Sequence, residues 1–174
     1  LRLEMNRKLS LESAYDLKSP KDNIELYSVW AETYDMDFIN EMQYKLHFSV
    51  ADEFILNGGA GLVLDVGAGT GALAQALLQK GKFSIEATDI SEEMLKIAKS
   101  KKIYRRSFLS DLTKEIPVDN SFYDGVVSSG TFTHGHVGPS SIGELVRVTK
   151  PGGLITISIN EKHWIAFDFE SEVQ

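Results

Sequence analysis

The sequence predicts an α/β protein with a mostly parallel sheet covered by helices on both faces, and three observations predict it. Beyond Gly61, apolar runs of strand length alternate with stretches of helical period, an order that requires parallel strands joined by crossover helices. The first run, Leu62-Val63-Leu64-Asp65-Val66, is apolar but for one carboxylate, as a strand buried on both faces must be. It ends in Gly67-Ala68-Gly69-Thr70-Gly71, where alternate glycines let the chain turn tightly and bring a ligand against bare backbone. A small cofactor therefore belongs at this turn.

The elements follow in order. Residues 1–20 are mixed, charged and without a clean period, and read as a lead-in or a short frayed helix. Leu26, Tyr27, Trp30 and Tyr34, then Leu46, Val50 and Phe54, recur at three- and four-residue steps, which predicts two helices between Asn23 and Leu56. Asn57-Gly58-Gly59-Ala60-Gly61 stops the second, because Asn and Gly tolerate the left-handed cap conformation. Strands are expected at 62–66, 83–88, 103–108, 123–128 and 154–159, and helices at 70–80, 91–101 and 140–149. Residues 1–60 thus read as an N-terminal helical segment and 61–174 as the cofactor-binding domain.

Composition narrows the chemistry. With 174 residues and 43% hydrophobic content the chain can bury one sizeable core. A net charge of −7 argues against a broad basic footprint for nucleic acid or an anionic membrane. Cysteine is absent, which excludes disulfides, thiolate catalysis and cysteine-held metal; no metal site is expected. No apolar run reaches the roughly 18 residues of a membrane span, and no signal peptide precedes the charged start, so a cytoplasmic location is expected. The first residue is Leu1 rather than methionine, which reads as a piece of a longer product.

Two cofactors compete for the glycine turn. A dinucleotide fingerprint spaces its glycines Gly-x-Gly-x-x-Gly, so that a helix dipole approaches a pyrophosphate. Here the spacing is Gly67-x-Gly69-x-Gly71, with Asp65 two residues ahead. A carboxylate repels a pyrophosphate and suits a cation, and S-adenosylmethionine carries an ammonium and a sulfonium. Asp89, closing the second strand, can accept both ribose hydroxyls or merely cap the helix that starts near Ser91. Asp111-Leu112, past the third strand, can meet an adenine edge or be an ordinary loop pair.

Val-Leu-Asp-Val-Gly-Ala-Gly-Thr-Gly, Ala-Thr-Asp-Ile-Ser, the Asp111-Leu112 pair, Tyr-Asp-Gly-Val-Val-Ser-Ser at 123–129 and Arg-Val-Thr-Lys-Pro-Gly-Gly at 147–153 together resemble the class I S-adenosylmethionine-dependent methyltransferases. Tyr-Ser-Val-Trp-Ala-Glu-Thr-Tyr-Asp-Met-Asp at 27–37 and Ser-Ser-Gly-Thr-Phe-Thr-His-Gly-His-Val-Gly at 128–138 look more narrowly like the methyltransferase-like proteins named after the Williams-Beuren syndrome chromosome region. The resemblance implies a Rossmann-like fold with a helical lid contributing Tyr34 and Trp30. It implies that Gly67, Ala68, Gly69 and Gly71 approach the methionine part and that Asp65 holds its ammonium. Asp89 would bind ribose, Ile90 line the adenine pocket, Asp111 and Leu112 fix adenine, and Ser128 and Ser129 flank the transferable methyl. Such sheets finish with an antiparallel strand pair, which residues 160–174 are too few to supply, so that pair is expected to be missing or truncated and the fifth strand to present an edge.

Methyl transfer from a sulfonium needs alignment and exclusion of water more than a covalent residue. Where the acceptor must lose a proton, His134 is the candidate base and His136 the lesser one. Cytosine-C5 chemistry lacks its cysteine, the Asn/Asp-Pro-Pro-aromatic turn of amine and amide enzymes is replaced by Ser128-Ser129-Gly130-Thr131, and the glutamate pair that holds a guanidinium is absent there. A small-molecule acceptor is therefore expected, with a protein acceptor second and nucleic acid disfavoured. The alternative is a cofactor-binding regulatory protein without independent catalysis. Lys99, Lys101, Lys102, Arg105 and Arg106 read as a solvated face.

Overall fold

A computed structural model of the chain describes residues 20–31, 45–133 and 137–173. Five parallel strands lie in the order β3-β2-β1-β4-β5: β1 is Leu62–Val66, β2 Ser84–Asp89, β3 Arg106–Leu109, β4 Tyr123–Phe132 and β5 Thr149–Ile159. The helices are α1 (Pro20–Trp30), α2 (Leu46–Leu56), α3 (Ala72–Lys80), α4 (Glu92–Ser100), α5 (Ile142–Val148), α6 (Glu161–Ala166) and α7 (Phe169–Val173). β1 is central, with Leu64 opposite Glu86 of β2 and Val126 of β4. The strand order reverses direction at β1, so β2 and β4 diverge on either side of its carboxyl end, where α/β sheets hold ligands.

Local sequence explains the helix starts. Ser91 accepts the Met94 amide at 3.2 Å and caps α4, and Glu92 and Glu93 in its first turn complement the helix dipole. Asn160 accepts the Lys162 and His163 amides and caps α6. Gly71 precedes α3 at φ 93°, a left-handed entry that a side chain would resist.

Two apolar layers flank the sheet. On one face Val63, Ile85 and Val127 meet Val50 and Phe54 of α2 and Leu73 and Leu77 of α3. On the other, Leu64, Val66, Tyr123 and Val126 meet Leu145 and Val148 of α5 and Phe169 of α7. Phe54 is wholly buried, in a slot that two glycines leave open: a Cβ on Gly125 would stand 2.6 Å from its ring, and one on Gly59 would overlap it. Helix α2 is thereby part of the core beneath the sheet.

Three boundaries differ from expectation. β4 runs four residues past Ser128, to Phe132, because the Ser128 and Thr131 hydroxyls both donate to the Val66 carbonyl and so satisfy a polar stretch inside a sheet. β3 begins only at Arg106; Ile103 and Tyr104 pack under the glycine turn instead. β5 begins at Thr149, although Pro151-Gly152-Gly153 reads as a break. Among the described residues β5 is an edge strand, paired only with β4, and its Gly153–Ile159 stretch is half-exposed throughout.

Trp30 is wholly buried, 6.2 Å from the Tyr27 ring and stacked on it; α1 lies against α4. Tyr34 falls outside the described residues. No helix among the described residues is long and apolar enough to cross a membrane.

Candidate functional site

The site is built on the turn between β1 and α3. Gly67, Gly69 and Gly71 hold φ values of 65°, 53° and 93°, and the Ala68 amide donates to the Thr88 carbonyl at 3.0 Å, which ties the turn to β2. Their surroundings differ. A Cβ on Gly67 would overlap Thr131 Oγ1, and one on Gly71 would meet the Tyr104 ring at 3.1 Å. A Cβ on Gly69 would meet nothing within 4 Å. Gly67 and Gly71 are therefore glycine because protein crowds them, whereas Gly69 borders open space that a ligand can enter.

Two carboxyl groups face this turn. Asp65, on β1, is 1% exposed. Its Oδ2 accepts the Tyr104 hydroxyl at 2.6 Å, and its Oδ1 is buried without a hydrogen-bond partner. Burial pushes the Asp65 carboxyl up to about 7, a rise that the Tyr104 hydroxyl opposes, the Asp89 charge reinforces and the Ala74 amide at the start of α3 again opposes. Asp89 ends β2. Its Oδ2 accepts the Gly69 amide at 2.8 Å and its Oδ1 the Ser91 amide at 2.9 Å. Burial also raises its pKa, against the Ser91, Gly69 and Ile90 amides. Ser91, and not Asp89, caps α4. Asp89 instead holds the glycine turn, which leaves each of its oxygens one further lone pair.

Past β3, Asp111 Oδ1 accepts the Thr113 amide at 3.0 Å and hydroxyl at 2.6 Å, and Oδ2 pairs with Lys114 at 3.2 Å. Its desolvation is outweighed by these partners, which lower its pKa. The carboxylate is thus engaged within its own turn. The Leu112 side chain is buried in the α5 layer, and Ile90 is half-buried beside Asp89. Ser128 is wholly buried and bonded at 2.7 Å to the Val66 carbonyl. Ser129 follows it within β4, with its Oγ buried and unbonded. His134 and His136 lie outside the described residues.

Among the described residues, the buried side-chain oxygens that lack a partner are Asp65 Oδ1, Thr88 Oγ1, Ser110 Oγ and Ser129 Oγ. They stand toward the carboxyl ends of β1, β2, β3 and β4 in turn. Buried polar atoms are nearly always bonded, so unsatisfied oxygens gathered at one end of a sheet mark where a polar ligand completes the structure. Together with the space at Gly69 and the uncompensated Asp65, they fit an adenosyl group carrying a cationic amino-acid tail. The sequence missed Thr88, Tyr104, Ser110 and Thr131; only the polar spacing Ser128-x-x-Thr131 at a strand end could have signalled one of them. A groove of about 500 Å³ lined by Asn120, Arg147, Lys150 and Gly152 lies at the opposite ends of the strands and is not part of this site.

A parallel sheet in this order, with a glycine turn and an acidic residue at the ends of its first two strands, defines a domain built to hold a nucleoside cofactor. Residues 64–157 match the family model described as methyltransferase domain, and the chain belongs to that family, whose methyl donor is the S-adenosylmethionine already implied by resemblance. The chain is 31% identical over 153 residues to human methyltransferase-like protein 27, covering 85% of this chain and 62% of that one. It is 30% identical over 162 residues to the ubiquinone/menaquinone biosynthesis C-methyltransferase UbiE of Burkholderia mallei, covering 89% and 59%. The chain therefore spans about three-fifths of the length of these relatives. Its fold is also that of DhpI, solved as a DhpI-SAM-HEP complex, with TM-score 0.62 and 24% identity over 84% of this chain and 69% of that one.

Proposed function

We propose that this chain is the cofactor-binding part of an S-adenosylmethionine-dependent methyltransferase that transfers a methyl group in line to a small-molecule acceptor. Unsatisfied oxygens toward the carboxyl ends of β1 to β4, with the buried Asp65 carboxyl just ahead of the glycine turn, carry this reading. In it, Gly67, Ala68, Gly69 and Gly71 line the methionine part, and Asp65 faces its ammonium. Asp89 accepts from the ribose with the lone pairs left over from Gly69 and Ser91, Ile90 and Leu112 border the adenine, and Ser129 lies toward the reacting end. Asp111 contributes through its turn, its carboxylate being committed to Thr113 and Lys114. Ser128 supports the site from below through Val66.

When bound, S-adenosylmethionine supplies an electrophilic methyl carbon on a sulfonium. What the protein adds is alignment of donor and acceptor and a dry site, which together account for most of what such a displacement needs. Tyr34 as lid residue and His134 as base are part of the proposal, as is a division between segments 1–60 and 61–174; because α2 packs into the core beneath the sheet, the lid proper would lie ahead of α2. The likeness of segments 27–37 and 128–138 to the Williams-Beuren-region proteins supports a place near that group. A small-molecule acceptor is supported by the absence of cysteine and of an Asn/Asp-Pro-Pro-aromatic turn, and by the quinone-biosynthesis name of the Burkholderia relative.

Isothermal titration with S-adenosylmethionine, S-adenosylhomocysteine and NAD tests the cofactor. Micromolar binding of the sulfur compounds alone, about −8 kcal/mol, is expected; binding of NAD alone would overturn the reading. Methyl-labelled cofactor mixed with a metabolite extract then tests turnover. Labelled small molecules are expected, label on protein would shift the acceptor class, and binding without any labelled product would favour the regulatory alternative.

A further inference from the structure

We propose that Tyr104 is a positioning residue of this site: its hydroxyl holds the Asp65 carboxylate by Oδ2 and so leaves Oδ1 as the atom that meets the cofactor's ammonium, an inference that rests on the cofactor reading above. Tyr104 sits just ahead of β3, 39 residues from Asp65 in the chain, yet its hydroxyl stands 2.6 Å from Oδ2. Its ring is fixed by the turn it serves. It packs with Ala68, Ala87 and Leu95, and its Cε2 and hydroxyl lie where a Cβ on Gly71 would come within 3.1 and 3.2 Å. One aromatic residue thus touches the glycine turn at two points and the carboxylate at a third. Rotation of the carboxyl group, which would hide Oδ1, would break the bond to Tyr104.

The direction of that bond is set by the chemistry around it. Burial, together with the Asp65 charge, raises the Tyr104 hydroxyl well above its ordinary value, so tyrosine keeps its proton and donates. The groups that face Asp65 are Tyr104, the Asp89 carboxylate at the end of β2 and the Ala74 amide of α3. None of these is a cation. An ammonium arriving at Oδ1 would supply the missing charge. With the Asp65 carboxyl raised to about 7 by burial, the apo site is partly protonated at neutral pH, and a bound ammonium would expel that proton to solvent. Affinity for a ligand with an amino-acid tail should then weaken as pH falls below 7. Losing the Tyr104 hydroxyl, which lowers the Asp65 pKa, should move that weakening to higher pH.

The test compares the whole chain with Tyr104→Phe, which keeps the ring against Gly71 and removes only the hydroxyl. Titrations use S-adenosylhomocysteine, which has the ammonium, and adenosine, which lacks it, at pH 6.0 to 7.5 in buffers of different ionisation enthalpy. In wild type, S-adenosylhomocysteine should release protons on binding and adenosine should not. Tyr104→Phe should weaken S-adenosylhomocysteine about tenfold at pH 7, raise the number of protons released, and leave adenosine within about twofold. Equal weakening of both ligands would assign Tyr104 a purely structural part and overturn the proposal, as would an unchanged affinity and proton count. Failure of wild type to bind either ligand would instead remove the cofactor reading itself. Thermal unfolding of the variant within a few degrees of wild type confirms that the comparison is between folded proteins.

Discussion

The Asp89 carboxylate accepts the Gly69 amide at 2.8 Å, so the acidic end of β2 and the middle of the glycine turn form one unit. The residue proposed to recognise ribose also sets the shape of the loop proposed to receive methionine. The two halves of the site cannot be altered independently.

Replacing Asp89 should therefore weaken cofactor binding in two ways. Asp89→Ala should weaken it by about 1 to 3 kcal/mol and also release the Gly69 and Ser91 amides. Asp89→Asn retains a carbonyl acceptor for one of the two amides and should lose less. Calorimetric titration of both variants checks the order, and equal affinity of Asp89→Ala and wild type would return Asp89 to a purely local role.

Gly67 and Gly69 should separate stability from binding. Gly67→Ala drives a methyl group into Thr131 Oγ1 at φ 65° and should destabilise the fold by about 3 kcal/mol or more. Gly69→Ala meets no atom, so its cost to folding should be about 1 to 2 kcal/mol of left-handed strain, while cofactor affinity falls at least about tenfold because the methyl group enters the ligand's space. Urea denaturation beside ligand titration distinguishes the two; a Gly69→Ala chain with intact affinity would place the cofactor elsewhere.

Asp65 makes a stability prediction whose sign follows from its titration. An unfolded aspartate titrates near 3.9 and the folded one near 7, so between those values the native state binds the extra proton. Its contribution is complete below about pH 4 and is lost as pH rises through 7, a change on the order of 4 kcal/mol. Asp65→Asn carries no charge to desolvate. Its stability relative to wild type should grow from pH 5 to pH 8 while its affinity for S-adenosylmethionine falls. Denaturant melts across that range check this, and a difference that stays constant with pH would show that Asp65 is not buried as a titrating group.

Phe54→Ala should cost about 3 to 5 kcal/mol, because the ring fills the slot between Gly59 and Gly125 and joins α2 to the sheet. Denaturant melts showing a loss in that range would bear out α2 as part of the core; a loss under about 1 kcal/mol would make α2 peripheral.

Much of this was legible in the residues. The β1 run and its glycines, the alternation of elements and the acidic end of β2 are local patterns, each set by burial on two faces or by φ values that only glycine takes easily. What escaped was long-range. Nothing near Tyr104 announces that it bonds Asp65, and its place in an apolar stretch with Ile103 reads as strand because periodicity does not distinguish packing under a turn from packing in a sheet. Residues 129–131 fell outside the expected strand for the converse reason: the polarity of Thr131, like that of Ser128 before it, is met by the Val66 carbonyl, more than sixty positions away. Asp111 looked like a ligand group from its position alone, whereas Thr113, two residues on, already occupies it. The two short helices after β5 went unread because Asn160, which caps the first, gives a signal too brief to stand without its packing.

The Val66 carbonyl, bonded by Ser128 and Thr131 across 62 and 65 residues of sequence, has a consequence for how the molecule is made. As the chain leaves the ribosome, β1 and the glycine turn emerge long before the strand that finishes them. β1 can meet β2 early, yet the turn receives its final support only when β4 arrives on its other side. The turn therefore reaches its final form only once β4 has joined β1, even though its signature stands earliest in the sheet-forming sequence. A ligand that binds only the completed turn would stabilise chains in which this contact is closed, and with it the pairing of β1 with β4.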